Sequence, residues 1–187
     1  LQNGSTKDKQ QALALLGSQS SKAVQSILIS ELEEVIKAKG VGEIALDAIM
    51  AAERSPISEV KAKLAAYKKT IPAGNVMAQF KPSLLGGDID KGKDIFLNHG
   101  AAQCVRCHKI NGFGADVGPD LSAIGKTQKR EYLLQSLVDP GAVVAPGFGV
   151  ITAELKNGET VSGIHTHSPW LQYTFKSIAA AIGDIVH

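Results

Sequence analysis

The stretch Ala101–Leu121 reads AAQCVRCHKINGFGADVGPDL and holds both cysteines of the 187-residue chain. Cys104 and Cys107 are separated by Val105 and Arg106, and His108 follows at once. Two thiols cannot build a disulfide framework. They can form one disulfide, half of a zinc site, a thiol redox pair or an attachment point for a porphyrin, and the neighbouring residues decide between these. A disulfide across two residues is strained. A thioredoxin-type pair follows a strand and opens a long helix, whereas this pair follows a helical pattern and opens into a Gly-rich loop. Structural zinc needs further ligands at regular spacing, and His99, His165, His167 and His187 are scattered.

The remaining pattern is C-x-x-C-H, the attachment signature of a c-type haem. The spacing has a chemical reason. Two thiols add across two vinyl groups on one porphyrin edge, and the residues between them bridge that gap. The next side chain then falls beneath the iron, where a neutral imidazole nitrogen can bind it.

Outward from this motif, the chain changes character. From about Asp8 to Thr70 it reads as helices. Val24, Ile27, Leu28, Leu32, Val35 and Ile36 form one apolar face, with Ser20 or Ser21 as cap and Lys39-Gly40 as end. Ile44, Ala48, Ile49 and Ala52 make a second stripe. Ser55-Pro56 suits the start of a third helix, whose buried side is Val60, Leu64 and Tyr67. Successive helical pairs suggest a HEAT-like array or a plain bundle. The stretch PAGNVMAQFKPSLLGGD, Pro72–Asp88, reads as a linker. Asp88 then caps a helix through Phe96 and Leu97. Thr127 caps another, in which Leu133, Leu134, Leu137 and Val138 share a face, and Asp139-Pro140 stops it. The period then shifts to two in VITAELKNGETVSGI, Val150–Ile164. That is a β-hairpin signal with an Asn157-Gly158 turn. The tail SIAAAIGDIVH, Ser177–His187, reads as a short helix, and Trp170 and Tyr173 as packing residues.

GDIDKGKDIF, CVRCH and GPDL together resemble the start of a class I cytochrome c. The resemblance narrows with CVRCHKINGFGADVGPDLSAIG, REYLLQSLVDPGAVVAPGF and LKNGETVSG. These look like the haem-binding domain of planctomycete and verrucomicrobial proteins, over about Leu84 to Gly163. It implies that Gly92 and Phe96 lie on a helix face crossed by a C-terminal helix. It also implies that the Pro119 carbonyl accepts a hydrogen bond from His108, fixing the imidazole's tautomer. Leu121 and Ile124 would shield the ring. The group's cytochromes often end large secreted or membrane-associated proteins carrying a dehydrogenase-like propeller.

One departure concerns the sixth iron ligand. Family members carry a Met late in the domain. Here Pro146-Gly147 is followed by Phe148, Gly149 and Val150, and Met50 and Met77 lie far upstream. The choices left open are a Met beyond His187, a histidine (His165, His167 or His187), or an open position. An open position would permit peroxidase-like chemistry.

Composition limits the partners. A formal net charge of +2 and few aromatics give no electrostatic or stacking platform for nucleic acid. No apolar run reaches the roughly 20 residues needed to span a bilayer. Lys91, Lys93, Lys109, Lys126, Lys129 and Arg130 could form a docking face for an acidic partner, or simply a solvated one. Arg106 reads as a surface charge. The opening LQNGSTKDKQ has no initiator Met or leader, so the chain reads as a piece of something longer.

The expectation is therefore a mainly α protein. A helical, HEAT-like domain spans about Leu1 to Phe80. A c-type cytochrome domain with a β-hairpin insertion spans about Lys81 to His187. One covalent haem would be held by Cys104, Cys107 and His108. It would transfer electrons with a redox partner or a fused dehydrogenase, in the periplasm or outside the cell. An open-site haem enzyme and a structural or assembly module are the rivals.

Overall fold

A computed structural model describes residues 3–154, 157–166 and 174–177. The chain is mainly α, with a small antiparallel sheet. It divides into two compact units: Leu1–Asp88 with Leu137–Asp139, and Ile89–Ser136 with Pro140–His187.

In the first unit, α1 (Thr6–Leu16) begins at a capping box. The Ser5 hydroxyl accepts the Asp8 N–H, and the Asp8 carboxylate accepts the Ser5 N–H. The same two Ser5 groups hold the Asp8 carboxyl below the usual carboxylate range. α2 (Lys22–Lys37) is capped by Ser21. Of its predicted face, Val24, Leu28, Leu32 and Val35 are buried, Ile27 is half-buried and Ile36 is exposed. α3 (Ala45–Arg54) buries Ala45, Ala48, Ile49, Ala51 and Ala52 and packs against both α1 and α2. Its alanines let neighbours approach closely: a Cβ added at Gly17 would stand 3.0 Å from the Ala51 backbone. α4 (Ser58–Lys69) packs on α2 and α3 through Val60, Leu64 and Tyr67.

Ser55 does not cap α4. It ends α3, is fully buried, and its hydroxyl accepts the Ile57 N–H at 3.3 Å. α4 starts three residues later than Ser55, behind Ile57. A Ser followed by Pro serves a chain stop as well as a chain start, because Pro56 cannot continue α3.

The expected linker also differs. It contains α5 (Val76–Phe80), capped by the Asn75 side chain at 2.9 Å, and a 3-10 turn at Lys81–Ser83 that packs on α3. Residues 81–88, placed by sequence at the start of the second domain, lie in the first unit. Pro82 is buried, and the Gln10 side chain reaches the Gly87 carbonyl. A cleft of about 440 Å³ in this unit is lined by Ile49, Met50, Tyr67, Phe80 and Pro82, among others. Burial pushes the Tyr67 phenol up.

The second unit opens with α6 (Ile89–Asn98), directly after Asp88. The motif loop follows. Then come α7 (Ile124–Thr127) and α8 (Arg130–Val138), whose last two residues are grouped with the first unit. Thr127 therefore ends a short helix rather than capping α8, and its hydroxyl turns back to the Ala123 and Ile124 carbonyls. On α8 only Leu134 is buried; Leu133 and Val138 are half-buried and Leu137 is exposed. Ala145-Pro146-Gly147-Phe148 forms a turn with Gly147 at φ +84°.

The hairpin pairs β1 (Val150–Glu154) with β2 (Thr160–Thr166) around Gly158 at φ +85°. Beyond it, β3 (Thr174–Ser177) adds a third antiparallel strand against β2. Ser177, expected to open the tail helix, instead ends β3; the rest of that stretch, with Trp170 and Tyr173, lies outside the described residues.

Candidate functional site

Cys104–Arg106 forms a single 3-10 turn. Cys107 N–H bonds the Cys104 carbonyl at 3.2 Å, and His108 N–H bonds the same carbonyl at 2.9 Å. In this geometry residues three apart eclipse, so Cys104 and Cys107 share one side. Both thiols are free and half-buried. Gln103 enters the turn in the left-handed region, φ 47°, and its side-chain carbonyl accepts the Arg106 guanidinium at 2.9 Å. Arg106, read as a surface charge, is half-buried and braces its own turn.

After His108 the chain makes a tight reversal. Ile110 and Phe113 exchange backbone hydrogen bonds, with Asn111 and Gly112 between them at φ 50° and 82°. Two successive positive φ values define the I′ hairpin turn, for which Asn-Gly is the favoured pair. The returning strand then hangs its N–H groups on the motif's carbonyls. Ala115 bonds Val105 at 2.9 Å, Gly118 bonds Cys107 at 2.6 Å and Leu121 bonds Lys109 at 2.8 Å. Gly114, φ +104°, lies so close to the His108 carbonyl that a Cβ would overlap it.

This wrapping brings Pro119 to His108. Nδ1 of the imidazole lies 2.9 Å from the Pro119 carbonyl oxygen. A carbonyl only accepts, so Nδ1 carries the proton and Nε2 keeps its lone pair. The ring lies against Gly118, where a Cβ would stand 2.6 Å from Cε1 and 2.8 Å from Nδ1. Leu121 and Ile124 are half-buried on the same return segment and the short α7. Asp120 accepts from the Ser122 hydroxyl and the Ser122 N–H, which hold its carboxyl below the usual range, with Lys109 adding a smaller pull. Lys109 is tied to Asp116 at 3.5 Å.

Other sequence candidates fall elsewhere or go undescribed. His165 sits on β2, paired in register with Phe175, and its side chain is outside the described residues, as are His167 and His187. Met50 and Met77 lie on α3 and α5 of the first unit. His99 accepts the Ala102 N–H on Nδ1. Among the described residues no three His, Cys, Asp or Glu side chains converge as a metal cluster, and no helix is long and apolar enough to cross a membrane. Sequence reasoning missed the Asn111-Gly112 turn and the Ser122–Asp120 pair. The Asn-Gly dipeptide was signal enough for the first.

As a donor set, two thiols on one side of a turn and an imidazole with its Nδ1 already committed suit covalent attachment and one axial bond. Among the described residues the second unit buries only Val117 and Leu134 as hydrophobics, while Ile95, Phe113, Val144 and Val150 are at least half exposed. A large apolar group suits such a shell.

Residues 89–164 match the family model for cytochrome c. No curated protein and no solved structure matches the chain. The matched segment contains the whole motif loop and β1, and ends within β2 at residue 164. The similarity supports a cytochrome c haem-binding domain, with a covalently bound c-type haem and electron transfer rather than catalysis as its general role. Cytochrome c domains work with redox partners and in bacteria typically lie outside the cytoplasm.

Proposed function

We propose that the second unit is a one-electron carrier holding a single haem c through Cys104, Cys107 and His108. Haem c, when bound, supplies a one-electron couple at its iron. Cys104 and Cys107 would hold the haem through their thiols, each S–H adding across a vinyl group with no leaving group, and would keep it bound in both oxidation states. His108 would offer Nε2 to its iron. Pro119 holds the Nδ1 proton, which makes Nε2 the more basic nitrogen and fixes the plane of the ring. Leu121 and Ile124 would shield the haem ring from water. The observation that carries this reading is the 2.9 Å Nδ1–carbonyl contact, which leaves one imidazole nitrogen committed and the other available beside two free thiols.

The finer reading follows the sequence resemblance to planctomycete-type domains. Electrons arrive from a dehydrogenase, as a partner or on the same parent chain, in the periplasm or outside the cell. The first unit serves as a HEAT-like spacer or docking element, supported by helices that pack two along the chain, α1 on α3 and α2 on α4. The two units act as separate domains. His165 and His167 stay candidates for the sixth position.

The test is spectroelectrochemistry of the natively matured chain. The expected result is a reversible one-electron couple, with a low-spin ferric spectrum that carbon monoxide does not alter in the ferrous state. Peroxide turnover with a high-spin ferric spectrum would overturn the electron-carrier reading in favour of a haem enzyme.

A further inference from the structure

We propose that Ser122 and Asp120 form a positioning clamp that sets how firmly the Pro119 carbonyl holds His108; this rests on His108 being the axial donor. Pro119 has no N–H and cannot anchor its own peptide. Its carbonyl is placed by its neighbours. On one side, Gly118 N–H bonds Cys107 at 2.6 Å. On the other, Leu121 N–H bonds Lys109 at 2.8 Å. Beyond Leu121 the tie passes to side chains. The Ser122 hydroxyl accepts the Asn111 N–H at 2.7 Å and donates to the Asp120 carboxylate. Asp120 also accepts the Ser122 N–H at 2.8 Å.

One hydroxyl therefore closes the segment after His108 onto the segment after Pro119, at the residue that starts the left-handed turn. The carboxylate fixes that hydroxyl's rotor, so its lone pair faces Asn111. The same carboxylate also holds the Ser122 N–H, which lies two peptide groups beyond the Pro119 carbonyl. Asp120 and Ser122 are exposed and touch neither the thiols nor the imidazole in any bond the structure shows. They act through the loop, and removing either loosens the rungs on both sides of the His108–Pro119 contact.

The experiment compares haem-loaded wild type with Ser122→Ala, Asp120→Ala and Ser122→Thr. Leu134→Ala serves as a destabilised control elsewhere in the unit. NMR hydrogen exchange reads the Asn111 amide and the His108 Nδ1–H, and potentiometry reads the couple. In Ser122→Ala both protons should exchange about fivefold to tenfold faster, as expected for one lost hydrogen bond. The reduction potential should rise, because a looser Nδ1 bond makes Nε2 a weaker donor to ferric iron. Asp120→Ala should follow in the same direction. Ser122→Thr, which keeps the hydroxyl, should return both readouts to wild type.

The proposal is overturned if both protons exchange at wild-type rates in Ser122→Ala and Asp120→Ala. It is equally overturned if the potential shifts as far in Leu134→Ala. Should Ser122→Ala fail to fold, Asp120→Ala carries the comparison. A chain that matures without haem absorbance overturns the reading beneath the proposal instead. The Asn111 amide then still reports on the clamp itself.

Discussion

Replacing Gly118 by Ala tests whether the imidazole position is set by direct packing on the backbone. Gly118 has no positive φ, so Ala costs nothing in backbone strain, and the effect isolates the new methyl group. That methyl would stand 2.6 Å from Cε1 of His108 and 2.8 Å from Nδ1. Carbon atoms rest at about 3.5–4.0 Å, so the ring must retreat by roughly 1 Å. A retreat of that size carries the 2.9 Å Nδ1–carbonyl contact past the hydrogen-bond limit of about 3.2 Å. The lost bond is worth about 1 kcal/mol and the overpacking about 1–3 kcal/mol. The haem-loaded unit should therefore lose about 2–4 kcal/mol, read as a lower midpoint in chemical denaturation followed by haem absorbance. Gly100→Ala is the control, since nothing lies within 4 Å of an added Cβ there. Refutation would be a Gly118→Ala protein whose midpoint matches wild type and whose His108 Nδ1–H remains as protected from exchange.

Further outcomes follow from the same geometry. Gly114→Ala, at φ +104° and against the His108 carbonyl, should prevent a stable motif loop; retained haem incorporation at wild-type yield would contradict this. In the helical unit, Leu32→Ala removes a fully buried side chain and should cost about 2–5 kcal/mol, while Leu15→Ala on an exposed site should cost less than about 0.5, both measured by urea denaturation. Ser55→Ala leaves the Ile57 N–H unpaired in the core and should cost about 1–3 kcal/mol in the same assay. Ser5 hydrogen bonds lower the Asp8 pKa, so its contribution is complete above the ordinary carboxylate range and disappears as pH falls through the folded value. The stability difference between wild type and Asp8→Asn should therefore shrink on acidification below about pH 4.

Long helices declared themselves because their apolar residues recur at helical spacing. Val24, Leu28, Leu32 and Val35 were legible, as were Val60, Leu64 and Tyr67, and all are buried. The motif cysteines and His108 stood out as candidates because the proposed attachment ties residue type to spacing. What escaped had weaker local signals. α5 has five residues, too few to show a period. Ser55-Pro56 fits the end of one helix as well as the start of the next, and burial chose the former. β3 (Thr174–Ser177) has only four residues, too few to show an alternating pattern, and depends on pairing with β2. Leu137, apparently on the α8 face, is exposed because a helix of nine residues offers one narrow buried stripe, centred on Leu134. The Ser122–Asp120 pair is short, polar and exposed, and only the folded loop shows what it joins.

The central claim is tested most directly by peptide mass mapping of the natively matured chain. The peptide containing Cys104, Cys107 and His108 should carry the mass of one haem, with neither thiol alkylatable. Recovery of that peptide at its unmodified mass, with both sulfurs open to alkylation, would contradict the account.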